Sequence, residues 1–261
     1  MILRERNKPM IMDCHVHLGK LQAFHTEGAI EELICVAEKH GIDKLFCTDA
    51  MALFYDSFEG NKRLARFMRK YPQHLLGYCT ISSARYGQEA VDEVRRCVEE
   101  YGMQGLKIYS FSQPGTHRPF LSVDDPWMDP ILEKAVDYGI PVLAHANPME
   151  CASLCKRFPE LILIMAHSGN TLHASGDWHR AIAAAKENPH LLLDTSTSSA
   201  DIDFIETAVE ELGAEKILYG SDWPIFSMTF ALARVQEADI LDMAKTMMLG
   251  DNLERIMRKK I

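Results

Sequence analysis

Residues 138–145 read Tyr138-Gly139-Ile140-Pro141-Val142-Leu143-Ala144-His145. A helix-like segment stops at Gly139, an apolar run follows at once, and the run ends in a histidine. Glycine just past a helix takes the left-handed conformation that terminates it, and a run that is apolar throughout suits a strand covered on both faces. The same phrase recurs along the chain. Gly41, Pro72, Gly102, Pro159, Pro189 and Gly213 are stops of the same kind, the prolines because they lack the N–H that a helix needs. The runs that follow the stops are 44–48, 75–81, 104–109, 140–146, 161–167, 190–194 and 217–222, and the run 10–18 opens the chain. The segments before the stops carry helical spacing. Ile30, Leu33, Ile34 and Ala37 form one stripe, and Ile202, Ile205, Ala208, Val209 and Leu212 form another.

Eight strands alternating with helices predict a parallel α/β fold. The 261 residues are close to the ~250 typical of a (β/α)8 TIM barrel. The count of eight, and the placement of polar residues at the strand ends, favour that closed barrel over an open doubly wound sheet. No linker or low-complexity stretch interrupts the rhythm, so a single domain over residues 1–261 is expected.

Hydrophobic residues make up 47% and charged residues 25%, which excludes long disorder because there is ample apolar surface to bury. The formal charge is −9, with Lys and Arg scattered, so nucleic acid is not an expected partner. No apolar run reaches the ~18 residues of a membrane span. The seven cysteines form no CxxC pair, and the charged start 1–7 lacks a signal-peptide core. Reduced thiols in a cytoplasmic protein are therefore expected. A small molecule is the expected partner.

Four of the eight runs end in a residue that binds metals. The first contains Asp13-Cys14-His15-Val16-His17, and residues i and i+2 of a strand face the same way, so His15 and His17 converge. Asp13 shares that parity and is a candidate to orient the imidazoles. The fifth run ends in His145, the sixth in His167, and the eighth in Ser221-Asp222. In a closed parallel barrel all C-terminal strand ends meet at one face, where active sites form. Imidazole and carboxylate there suit a divalent metal that lowers the pKa of a bound water. A lone histidine at a strand end is ordinarily a polar rim residue, and Asp222 alone would pass for a turn cap. Their combination is what points to a metal site.

These motifs resemble the amidohydrolase superfamily, and within it the amidohydrolase-related group that includes aminocarboxymuconate semialdehyde decarboxylase. Asp-x-His-x-His on the first strand, His on the fifth and sixth, and Gly220-Ser221-Asp222-Trp223-Pro224 on the eighth carry the resemblance, together with the stretch 121–145. It covers Met12 to about Arg255. It implies one divalent metal, expected as zinc, held by His15, His17, His145 and Asp222, with His167 beside it as general base or polarising group. Asp222 would also accept the proton of metal-bound water in a hydrolytic member, and a homodimer is compatible with the family. TatD-like nucleases also open with His-x-His but typically place Glu where this chain has Lys107.

Lys107 divides two versions of the site. Carboxylated, it would bridge a second metal, with His145 and His167 completing that site. As an ammonium it would bind an anionic substrate group, which the one-metal resemblance favours. Further substrate contacts are expected from Arg118 in the long loop 110–125, from His173, and from Trp223, with Phe226 near it. Cys151 and Cys155, four apart on a predicted helix, read as buried hydrophobes. The expected activity is hydrolysis of an amide, lactone or ester. The alternative on the same scaffold is a non-hydrolytic decarboxylase or hydratase, and a catalytically silent barrel is the remaining rival.

Overall fold

A computed structural model describes residues 9–82, 87–109, 122–169, 177–196 and 203–258. In chain order its strands are β1(Met12–Leu21), β2(Thr26–Gly28), β3(Lys44–Asp49), β4(Leu75–Ile81), β5(Gly105–Tyr109), β6(Val142–His145), β7(Leu163–Met165), β8(Leu191–Asp194) and β9(Ile217–Leu218). The helices that link them are α1(Ile30–His40), α2(Ala50–Phe54), α3(Ser57–Lys70), α4(Gln88–Glu99), α5(Asp129–Asp137), α6(Pro148–Arg157), α7(Trp178–Glu187) and α8(Phe204–Leu212). Three more, α9(Met228–Gln236), α10(Asp242–Thr246) and α11(Asn252–Arg258), follow the last strand.

The predicted TIM barrel is present. The strands lie in the order β2-β1-β3-β4-β5-β6-β7-β8-β9, and every pair from β1–β3 to β8–β9 is parallel. Residues 219–223 close the ring onto β1. Cys14 N donates to Tyr219 O at 2.9 Å, Asp222 N to His15 O at 2.8 Å, and His17 N to Trp223 O at 2.8 Å. The strand that the sequence does not announce is β2. The chain runs past Leu18 to Leu21, turns, and pairs back antiparallel with Gly19↔Gly28, placing a hairpin at the C-terminal end of β1.

The punctuation works as its chemistry requires. Gly41 sits at φ +67° and its N–H caps the carbonyls of Ala37 and Glu38, a conformation that costs a residue with a Cβ about 1 kcal/mol or more. The α1 stripe of Ile30, Leu33 and Ala37 is buried against the strands. Two apolar layers result. One fills the space between strands and helices. The other fills the barrel interior, with Met12, Cys14, Phe46, Tyr78, Leu143 and Ile164 among its members and Leu253 and Ile256 of α11 plugging the end. Gly105 makes room there, since a Cβ on it would lie 2.6 Å from the Tyr78 ring. Cys151 and Cys155 are free and buried on α6. No helix among the described residues is long and apolar enough to cross a membrane.

Candidate metal centre and active site

His15 and His17 reach the mouth through an irregularity in β1. Its register against β3 runs Asp13↔Leu45 and then Val16↔Cys47, so β1 carries one extra residue. Met12 and Cys14 therefore join the interior cluster, while His15 and His17 line the cavity above it. Asp13 does not share their face, contrary to strict alternation. Its Oδ1 instead accepts from the backbone N–H groups of His15 and Ser221, both at 3.0 Å, and ties β1 to the closing segment. Burial pushes the Asp13 carboxyl up to about 7.

His167 and Asp222 stand just beyond strand ends. His167 lies in the tight turn after β7 with φ +58°, and Asp222 has φ +57°. Left-handed backbone at residues bearing a side chain is costly and is found where surrounding structure enforces it, often at active sites. His145 ends β6, opposite Tyr109 at the end of β5, and the two rings stack with centroids 4.0 Å apart.

The histidine tautomers follow from their partners. His167 Nδ1 contacts the Ser196 carbonyl, which only accepts, so Nδ1 carries the proton. Thr48 Oγ1 donates to Val16 O at 3.4 Å and so receives the Nδ1–H of His17, 2.5 Å away. His15 Nδ1 faces Asp194 Oδ2 at 2.8 Å. In His17 and His167, Nε2 is thereby left with a lone pair directed away from these partners. Burial, first of all, lowers His167 to about 4, and it pushes His15 well below the usual imidazole range. Both rings are neutral near pH 7.

Asp222 Oδ1 lies 2.9 Å from His17 Nε2 and 3.7 Å from His15 Nε2. It is buried without a hydrogen-bond donor among the described residues. These three atoms lie within 4.8 Å of one another. Two imidazole nitrogens converging on a buried carboxylate oxygen that lacks a donor are the donor set a divalent cation needs. The residues thus fit the implied metal. His145, the fourth expected ligand, stands outside that triad but faces the same cavity.

The cavity has a volume of about 340 Å³. His15, His17, Lys107, His145, His167 and Asp222 form its polar floor, and Phe24, Phe54, Tyr109 and Phe226 contribute aromatic walls. Lys107 is fully buried, with Nζ 3.3 Å from His15 Nε2. Burial brings its pKa down to about 8, against the upward pull of Asp194 and Asp222. Trp223 is buried in the layer between strands and helices and is not among the lining residues, whereas Ile225 and Phe226 are. Arg118 and His173 lie outside the described residues.

Sequence reading passes over Asp194, Ser196, Thr48 and Tyr109. Asp194 offers the clearest missed signal. It ends an apolar run as His145 does, and a carboxylate closing a buried strand needs partners. Burial pushes it up to about 7, while hydrogen bonds from Ser196 and His167 and the charge of Lys107 pull the other way.

Comparison with known proteins revises the chemistry. Gamma-resorcylate decarboxylase from Rhizobium sp. (strain MTP-10005) is 22% identical, with 71% of this chain and 72% of that protein covered. The structure of 5-carboxyvanillate decarboxylase from Sphingomonas paucimobilis superposes with a TM-score of 0.75 at 16% identity, over 96% of this chain and 99% of that one. Dihydroxybenzoic acid decarboxylase from Polaromonas sp. JS666, solved with bound manganese and the inhibitor 2-nitroresorcinol, gives 0.74 at 17% identity over 96% and 97%. The expectation of an amide, lactone or ester hydrolase is overturned by these relatives, which are decarboxylases. The residue types of a hydrolytic and a non-hydrolytic site coincide, so the ligand motif alone misleads. Residues 12–259 match the family model described as amidohydrolase, and the chain belongs to that family.

Proposed function

We propose that this protein is a metal-dependent, non-hydrolytic decarboxylase of a small hydroxylated aromatic carboxylate. The observation that carries the reading is that the sequence relatives are gamma-resorcylate decarboxylases. The site supports it: the aromatic walls of a cavity of about 340 Å³ leave room for one substituted ring above a floor of cation, imidazole and carboxylate.

His15, His17 and Asp222 would hold the metal, with His145 completing the set. Manganese, as in the Polaromonas neighbour, and zinc both suit these donors. Bound there, a divalent ion supplies Lewis acidity toward the substrate's oxygens. Lys107 acts as an ammonium that pairs with the substrate's anionic group. Its pKa of about 8 keeps it mostly charged at neutral pH. His167, neutral because of its burial, presents Nε2 to accept the proton of the ring hydroxyl. Asp222 and His167 together pass a proton to the ring carbon that bears the carboxylate. The C–C bond then breaks, its electron pair returns to the ring, and carbon dioxide leaves. The net reaction consumes one proton from solvent and adds no water. Phe24, Phe54 and Phe226 exclude bulk water and orient the ring.

The test is to supply manganese-loaded protein with a panel of benzoates differing in the number and position of hydroxyls. Stoichiometric carbon dioxide release from ortho-hydroxylated members supports the proposal. Turnover of esters, amides or lactones without carbon dioxide release contradicts it.

A further inference from the structure

Several donors converge on one buried carboxylate. Asp194, at the end of β8, is fully buried. Its Oδ1 accepts from His167 N at 2.7 Å, Ser196 N at 3.1 Å and Ser196 Oγ at 2.7 Å. Among the described residues its Oδ2 faces a single partner, His15 Nδ1, at 2.8 Å. The two oxygens therefore have different tasks. Oδ1 secures the left-handed turn that carries His167. Oδ2 meets a ring nitrogen whose proton is free to sit on either side of the imidazole.

We infer that Asp194 is a positioning residue that sets the tautomer of His15: Oδ2 holds the proton on Nδ1 and keeps Nε2 a lone-pair donor toward the metal position. This rests on the metal-site reading and is independent of which reaction the site performs.

A neutral imidazole carries one proton, and in a buried site the partner of one nitrogen decides which nitrogen bears it. Ser196 Oγ also lies 2.8 Å from His15 Nδ1. Its own hydrogen is directed to Asp194 Oδ1, so it too only accepts. Among the described residues, no group near Nδ1 offers it a proton while Asp194 is a carboxylate. On the opposite edge of the ring, Nε2 faces Lys107 Nζ at 3.3 Å, a donor that requires a lone pair there. Both edges thus select the same tautomer.

The asymmetry of Asp194 makes this testable with one atom's worth of change. In Asp194→Asn the amide has one acceptor and one donor end. Placing the NH2 toward His167 N and Ser196 N would set donor against donor at two buried backbone groups. Placing it toward His15 leaves Oδ1 in place for its present donors, and that orientation is favoured. The amide N–H then meets His15 Nδ1, which must accept, and the imidazole proton moves to Nε2. The turn at His167 stays secured while a metal ligand is blocked by its own hydrogen.

The experiment uses full-length protein at pH 8, stripped of metal with chelator. Manganese binding is measured by calorimetry, and the ring nitrogens of His15 are read by NMR after ¹⁵N-histidine labelling, with His15→Gln for assignment. Wild type should show His15 protonated on Nδ1. Asp194→Asn should melt near the wild-type temperature, show His15 protonated on Nε2, and bind manganese about 10- to 100-fold more weakly. Ser196→Ala, which leaves Oδ2 untouched, should keep the Nδ1–H tautomer. Unchanged manganese affinity and tautomer in a folded Asp194→Asn protein overturns the inference. So does a wild-type His15 protonated on Nε2, a reading that needs no variant to fold. Failure of the wild type to bind manganese, with His15 still protonated on Nδ1, instead overturns the metal-site reading.

Discussion

At one end of the barrel interior Phe46 stacks on Tyr78 with ring centroids 3.7 Å apart, and α11 seals the opening with Leu253 and Ile256. At the other end His15, His17, Lys107, His145, His167 and Asp222 are buried in one polar floor, with Asp194 buried against His15. The strands are shared, yet the chemistry changes within two or three residues on several of them, from Leu143 to His145, from Ile164 to His167 and from Leu192 to Asp194. Apolar burial at the first end stabilises the fold by about 25 cal/mol per Å². Polar burial at the second opposes folding unless every group finds a partner. The left-handed backbone at His167, Ser168 and Asp222 also falls at that end. The barrel thus concentrates stability at one end and function, with its strain, at the other.

The largest effect that would separate the two ends is loss of metal ligands. His15→Ala/His17→Ala should retain little metal by elemental analysis and lose activity by about 10³-fold or more, since a Lewis acid contributes several kcal/mol and each 1.36 kcal/mol is tenfold. Its melting temperature without metal should stay close to that of the stripped wild type. Full metal retention would break the division at its most important point.

Next comes His167→Asn, which should lower kcat by about 10²- to 10⁴-fold while keeping metal, as expected for a group that moves a proton. Simultaneous loss of metal and rate would make His167 a ligand and favour the two-metal site with carboxylated Lys107.

At the opposite end, Leu253→Ala should cost about 2–5 kcal/mol of stability in denaturant titrations, through lost burial and the cavity left behind. Manganese affinity of the folded fraction should not change. A large change in affinity would mean that the plug also shapes the mouth.

The smallest effect is a slope. Asp13 has a folded pKa of about 7 against an ordinary value of 3.8, and its Oδ2 has no hydrogen-bond partner among the described residues. Between those values the unfolded chain has released the proton and the folded chain still holds it. Stability contributed by this group is therefore complete below pH 3.8 and is lost as pH rises through 7. Asp13→Asn should flatten the fall of stability between pH 4 and 7 relative to wild type. An unchanged slope would show that Asp13 is ionised throughout.

The two ends also differed in how far the sequence revealed them. The eight parallel strands and their closure are legible because stops such as Gly41 and Gly139 punctuate apolar runs whose local chemistry dictates their shape, whereas the short antiparallel β2 is not. His15, His17, His145, His167 and Asp222 were legible as a set because a closed barrel brings strand ends together, and all five line one cavity. The β1 irregularity was not legible. One extra residue leaves no compositional mark, so alternation wrongly placed Asp13 beside the histidines. Asp194 was missed because its role lies in hydrogen bonds to His15, 179 positions away, a contact that only the folded register creates. The reaction is the least legible of all, since one fold and one set of ligand residue types can host different chemistries, and it is the similarity to decarboxylases that supports the proposed reading.

The most direct test of the account is the fate of solvent atoms during turnover. Manganese-loaded protein should be incubated with an ortho-hydroxybenzoate in D2O, and separately in H2¹⁸O, with products read by mass spectrometry and NMR. Decarboxylation places one deuterium on the ring carbon that carried the carboxylate, releases one equivalent of carbon dioxide, and leaves no solvent ¹⁸O in the aromatic product. An ¹⁸O-labelled aromatic product, or conversion without carbon dioxide release, would contradict it.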